Sequence, residues 1–337
     1  MQLLDGFKVF DTDHCVTGSM RHVYEFNGYP ISEDLLLGLG AGVGFSYWHF
    51  KGQPPFMGGR ALPKPSMEEW AVQRTGVKIK LHTTSSARKA RQSMLELLEM
   101  GQPVMIGCDM GFLPYFDFGG QEYHFGGHAV VVAGYDAGAD CALVVDRDGA
   151  YRVPMADLEK ARGSKFKPFP PRHLWYSFDF GEMRPPTTGE VYAAIAQQVE
   201  PMLNPPIRNI GIKGIRKAAQ MASKWPASMG ADELRRALFN SYIFICPVGG
   251  TGGGTFRYMF SRFLREAAEI AGDGRLNASA DQFWQIGDRW EALGAWFKAA
   301  SEADDPTSLV QECVEPLRSI ADLEEVAWQA LSTLIPG

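Results

Sequence analysis

Up to about residue 183, apolar positions switch repeatedly between two periods. CVTGSMRHVYEF places Val16, Met20 and Val23 on one helical face and predicts a helix over residues 15–26. Ser32 opens a second, short helix. Ser66 caps a third, with Glu68 and Glu69 in its first turn. Val77–Leu81, Pro103–Met110 and Leu174–Phe180 read as strands, about Ser86–Met100 as a helix, and residues 125–146 as a hairpin. At 183–188, MRPPTT reads as a linker, its prolines and threonines breaking any helix. Beyond it, IRKAAQMASKW, ADELRRALF, FRYMFSRFLREAAEIAG and FWQIGDRWEALGAWFKAA keep apolar residues three and four apart. The expectation is an α+β domain over residues 1–183 followed by a mostly α-helical domain over 189–335.

Composition narrows the chemistry. With 45% hydrophobic and 21% charged residues, the chain can bury a core in each domain. A net charge of -6 argues against a nucleic-acid partner. The basic runs Lys165–Lys167 and Lys213–Arg216–Lys217 read as solvated faces or as contacts for an acidic partner. No stretch of about 18 apolar residues occurs, so no membrane span is expected. MQLLDGFKVFDTDHC lacks the basic leader and apolar core of a secretory signal. Five cysteines, scattered and without a CxxC, fit neither a disulfide framework nor a zinc site. A reducing cytoplasm is the expected location, with no cofactor and no metal.

In that compartment a free thiol can act as a nucleophile. Cys15 stands at the predicted start of the first helix, where unpaired N–H groups and the positive end of the dipole favour a thiolate. A cysteine packed structurally at a helix start is the plainer alternative. His128 opens the valine-rich run HAVVVAGYD, preceded by two glycines that allow close approach of another segment. Folding the hairpin about residues 137–138 brings His128 opposite Asp146 or Asp148, and a carboxylate there fixes the imidazole tautomer. Nucleophile, imidazole and carboxylate together are the elements of a Cys–His–Asp triad. His124 has no third ligand at a usual metal spacing.

Two glycine-rich segments stand apart. GLGAGVGF, with Gly40 and Gly42, lacks the order of a dinucleotide loop and reads as backbone passing close to a substrate or to the first helix. PVGGTGGGTFR, with Gly252 and Gly253, runs into a helix without the lysine of a phosphate-binding P-loop. It reads as a flexible connector or as a cradle for an anionic substrate, with Arg257 on the first helical turn beside it.

The segments DTDHCVTGSMRHVYEFNGYPISEDLLLGLGAGVGFSYW, PFMGGR, HFGGHAVVVAGYD and VVDRDG resemble the N-terminal domain of the butirosin biosynthesis protein H family. GIKGIRKAAQMASKW and GGTGGGTFRYMFSRFLREAA resemble the helical domain of unassigned function often fused to it. The resemblance spans most of the chain and implies a papain-like fold for the N-terminal half. It also implies an acyltransferase that moves an acyl group from a carrier-protein or CoA-type thioester to an amine-bearing small molecule. Cys15 would be the nucleophile, His128 its base and Asp146 the orienter. Papain-like enzymes usually carry a glutamine about six residues before the nucleophile to bind the oxyanion, but here that position is Val9. The donors would then be the Cys15 N–H together with His14 or Thr12. A cysteine amidase or peptidase would use the same residues with water as acceptor. A catalytically inactive binding protein would retain the fold without the chemistry.

Overall fold

The computed structural model describes residues 2–50, 53–61, 63–120 and 122–336. It is mixed in class and forms two compact units: Met1–Leu36 with Gly76–Arg184, and Leu37–Thr75 with Pro185–Gly337. The chain opens with α1 (Cys15–Phe26) and α2 (Glu33–Leu39), the latter running across the first boundary. Then come β1 (Val43–Trp48), β2 (Phe56–Arg60) and α3 (Met67–Arg74). They are followed by β3 (Lys78–His82), α4 (Ala87–Glu99), β4 (Val104–Cys108), β5 (His128–Asp136), β6 (Cys141–Asp146), β7 (Gly149–Pro154), α5 (Met155–Gly163) and β8 (Trp175–Asp179). The rest is helical: α6 (Thr188–Leu203), α7 (Gly211–Ala222), α8 (Trp225–Ser228) and α9 (Ala231–Ile245). It ends with α10 (Arg257–Ala271), α11 (Arg275–Glu302), α12 (Pro306–Leu309) and α13 (Val314–Ser332).

In the first unit six strands form one antiparallel sheet in the order β3-β8-β4-β5-β6-β7. Two tight turns set its register. Asp136 closes the β5–β6 hairpin by accepting the Gly138 and Ala139 amides on one oxygen. A two-residue turn, Arg147–Asp148, joins β6 to β7 across the pair Asp146–Gly149. Along β5 the side chains alternate, and both sets are buried. Val130 and Val132 pack with Met94 and Leu98 of α4 and with Leu158 and Ala161 of α5. Ala129 and Val131 are buried too, and α1 lies along the same strand. Full burial of each valine contributes roughly 2 kcal/mol, so β5 is a firm frame for the residue at its start.

Several helix starts follow their local sequence. Ser66 and Glu69 form a reciprocal capping box at α3, and Ser86 caps α4. The 183–188 segment differs from its linker reading at its last two residues. Thr187 and Glu190 make a second capping box, so the threonines start α6 rather than break it.

The second unit departs from the expectation of two consecutive domains, because residues 37–75 pack with the helices. Phe45 of β1 stacks on Trp290 at 5.5 Å between centroids, and the Trp225 indole donates to the Tyr47 hydroxyl at 3.3 Å. The glycine-rich stretch therefore has a packing explanation. A Cβ on Gly38 would collide with the Phe263 ring, and one on Gly42 with Leu37 and Met67. Gly40 and Gly42 are buried in this unit, whereas Cys15 belongs to the other. Among the described residues, no helix is long and apolar enough to cross a membrane.

Candidate functional site

Cys15 is the first residue of α1 and His14 is its N-cap. The His14 ring accepts the Thr17 amide through Nδ1 at 3.3 Å, which places the ring proton of the neutral form on Nε2. The turn before the helix is tied to the end of β6. The Thr12 amide donates to the Arg147 carbonyl at 2.8 Å, and the Arg147 guanidinium returns a bond to the Asp13 carbonyl at 3.3 Å. Cys15 is thus held beside the residue that follows Asp146.

His128 begins β5, opposite Cys108 of β4. Its Nε2 lies 2.6 Å from Asp146 Oδ2, with both side chains buried. The Cys15 thiol is hydrogen-bonded to the His128 side chain and also receives the Ala129 amide. The hairpin register explains why Asp146 is the partner. Val131 pairs with Val145 and Val132 with Val144, so Asp148 would stand directly across from His128 if β6 continued. β6 ends at Asp146 and Asp148 falls in the turn, where it accepts the Tyr151 hydroxyl at 2.8 Å. Asp146 meets the imidazole diagonally.

The carboxylate is held on every side. Oδ1 accepts the Arg147 amide and Oδ2 accepts the Tyr115 hydroxyl, both at 2.8 Å. Tyr115 stacks on Tyr151 at 4.0 Å, and Phe116 sets an edge against the His128 ring. Burial raises the pKa of Asp146, but the charge and bond of His128, the Arg147 amide and Tyr115 outweigh it and hold the group below its ordinary value. Burial likewise disfavours a charged His128, yet Asp146 and the Cys15 thiolate push its pKa well above the ordinary imidazole value. Burial also raises the Cys15 thiol, and the bond and charge of His128 with the Ala129 amide bring it below the ordinary thiol value. Both shifts run in the direction that favours a thiolate beside an imidazolium.

Sequence reasoning missed three participants: Tyr115, Phe116 and Glu33. The aromatics lie in the loop between β4 and β5, which has no periodic pattern to read. Glu33, the first residue of α2, looks in sequence like an ordinary first-turn acid. Instead its buried carboxylate accepts the Asp13 amide at 2.6 Å, the His14 amide at 3.2 Å and the Thr17 hydroxyl at 3.4 Å.

Other expected participants lie elsewhere. Thr12 spends its hydroxyl proton on the Arg147 carbonyl at 3.4 Å. Arg257 requires a correction, because it is fully buried and its guanidinium is bound within the protein. Its guanidinium binds Glu324 at 2.8 and 3.0 Å and the carbonyls of Gly44 and Thr255 at 2.9 and 2.8 Å. The second glycine segment is likewise internal. Gly253 donates to Thr251, Gly252 is half-buried beside it, and the Gly254 amide donates to Glu291 at 2.8 Å. The Gly253 and Gly254 N–H groups, expected to help hold an anionic substrate, are occupied by the protein's own hydroxyl and carboxylate. Arg216 of the basic run is paired with Asp322 and Glu325, both at 2.7 Å. His124 bonds Asp109 and stacks on Phe166. Among the described residues, no group of three or more His, Cys, Asp or Glu side chains is arranged to hold a metal.

Two family models match the chain. Residues 14–147 match Butirosin biosynthesis protein H, N-terminal, a span that opens beside Cys15 and closes beside Asp146. Residues 156–331 match a domain of unknown function, DUF4872, which begins within α5 and continues through the helices. No curated protein matches the chain. The chain belongs to the family defined by the DUF4872 domain, whose model spans more than half its length, and carries in front of it the N-terminal domain of butirosin biosynthesis protein H.

Proposed function

We propose that this protein is a cysteine-dependent acyltransferase of natural-product biosynthesis, built on a papain-like N-terminal half. The observation that carries the reading is the continuous line from the Cys15 thiol through His128 to Asp146, at a helix N-terminus beside an antiparallel sheet. The matched family's name places its namesake in butirosin biosynthesis, which supports a biosynthetic role here.

The chemistry follows from the charges. The Cys15 thiolate attacks the carbonyl carbon of a carrier-protein or CoA-type thioester, forming a C–S bond and a tetrahedral oxyanion. The amides of Cys15 and Val16, in the first turn of α1, have no intrahelical acceptor and suit that oxyanion. As the intermediate collapses, the donor's C–S bond breaks and the leaving thiolate takes the proton of His128. An amine then attacks the acyl-cysteine, neutral His128 accepts the proton the amine sheds, and the Cys15 thiolate is released. Asp146 holds the imidazole in the tautomer and orientation that both steps require.

Intact-protein mass measurement after incubation with acyl thioesters tests the reading. Wild-type protein gains one acyl group, Cys15→Ala gains none, and an added amine discharges the acyl-enzyme faster than water does. Asp146→Asn slows loading by roughly a hundredfold, scaled down from serine triads, while Asp148→Asn changes it little. Loading that survives Cys15→Ala refutes the mechanism, and discharge that ignores every amine makes the enzyme a hydrolase.

A further inference from the structure

The mechanism leaves one buried titratable group beside the thiol unused. Glu33 lies in α2, yet both of its oxygens are turned to the segment that delivers Cys15. Around the start of α1 the amides divide cleanly. Those of Asp13 and His14 go to Glu33, that of Thr17 goes to the His14 ring, and that of Gly18 makes the first helical bond to the His14 carbonyl. The amides of Cys15 and Val16 lie between these two sets.

We infer that Glu33 is a positioning residue: by holding the two amides that precede Cys15 it fixes the direction of the Cys15 N–H that receives the oxyanion. This rests on the acyl-transfer reading and deepens it. A peptide N–H follows the rotation of its plane; the planes on either side of residue 13 are pinned only when both carboxylate oxygens accept, and the second of them adjoins, through the His14 Cα, the plane that carries the Cys15 N–H. A protonated carboxyl, or a glutamine, turns an N–H or O–H donor toward one of those amides and releases it. Burial raises the Glu33 carboxyl to about 7, opposed by the two amide bonds and reinforced by the charges of Asp13 and Asp34. The Thr17 hydroxyl, which donates to Glu33 at 3.4 Å, completes the surroundings. Glu33 is therefore ionised above neutrality and loses its grip as the pH falls through about 7.

The test compares two reagents at Cys15. p-Nitrophenyl acetate acylates through a tetrahedral oxyanion, whereas iodoacetamide alkylates by direct displacement and needs only the thiolate. Their rate ratio isolates the oxyanion donors from thiol activation. Glu33→Gln lowers the ratio roughly tenfold, as expected for a misdirected donor, and Glu33→Asp restores part of it. In wild-type protein the ratio falls as the pH drops through about 7, while in Glu33→Gln it stays flat. The wild-type profile needs no variant to fold. An unchanged ratio in Glu33→Gln or a flat wild-type profile overturns the inference, as does equal slowing by both reagents, which marks a purely structural residue. Wild-type Cys15 that is alkylated rapidly but never acylated refutes the acyl-transfer reading, and this inference with it.

Discussion

At Cys15, His128 and Asp146, neighbouring charges and hydrogen bonds outweigh what burial alone would do to each group. The other cysteines show the contrast. Burial raises the thiols of Cys246 and Cys313 to about 12, and that of Cys108 well above its ordinary value. Only Cys15 among these four has an imidazolium and an amide beside it, and its value is lowered. The sign sets the pH window: Cys15 remains a thiolate below the ordinary thiol value and is protonated only as pH falls through its own depressed one. Iodoacetamide at pH 6, followed by peptide mapping, should therefore label Cys15 ahead of the three buried thiols. His128→Ala should shift its labelling profile to alkaline pH. Equal labelling of Cys15 and Cys108 would mean that the ion pair does not form. At this scale the sequence was legible where chemistry has a local signature, a thiol at a helix start and an imidazole at a strand start. Tyr115 and Glu33 were not legible, because they reach their partners across turns of no fixed period.

Among the elements, the glycine segments are the most instructive. From Gly252 to Phe256 every residue has positive φ, including Thr255 at 56° and Phe256 at 68°. Each such non-glycine residue costs about 1–2 kcal/mol, so packing must hold this turn in place. A Cβ on Gly254 would stand 2.6 Å from the Gly287 backbone. Gly254→Ala should accordingly cost more than about 2 kcal/mol in denaturant unfolding, combining strain with a clash that no side-chain rotation relieves. Gly189, in the first turn of α6 with open space around it, should behave oppositely, and Ala there should stabilise by up to about 1 kcal/mol. A neutral Gly254→Ala would show the left-handed turn to be dispensable. Composition alone made these glycines look like a flexible connector or a ligand cradle. Helix caps were readable from four residues, whereas the fit of a glycine against a distant backbone was not.

For the whole molecule, the decisive interaction in the helical unit is the buried pair Arg257–Glu324. Glu324 also accepts the indole N–H groups of Trp290 and Trp328, at 2.8 and 2.7 Å. Removing either charge strands the other without water, a loss of about 3–5 kcal/mol. Arg257→Ala should therefore lower the melting temperature sharply and slow all acyl donors alike at temperatures where the variant remains folded. Selective slowing of anionic donors would restore a binding role to Arg257. The proline-rich stretch near 185 was visible as a break because its composition changes locally. The return of residues 37–75 to the helices was not, since its contacts run from Phe45 to Trp290 and from Tyr47 to Trp225.

That return has a consequence for how the protein is made. The β1–β2 hairpin leaves the ribosome long before α8 and α11, the helices that supply Trp225 and Trp290. At roughly 5–20 residues per second, its apolar side chains wait on the order of tens of seconds for their partners. Each new chain thus carries an unfinished surface until α8 and α11 have been made. The first unit, too, stays incomplete until the strand at Trp175–Asp179 has emerged, long after its cysteine helix has been translated. Cys15 is therefore made well before His128 and Asp146, the residues that shift its protonation.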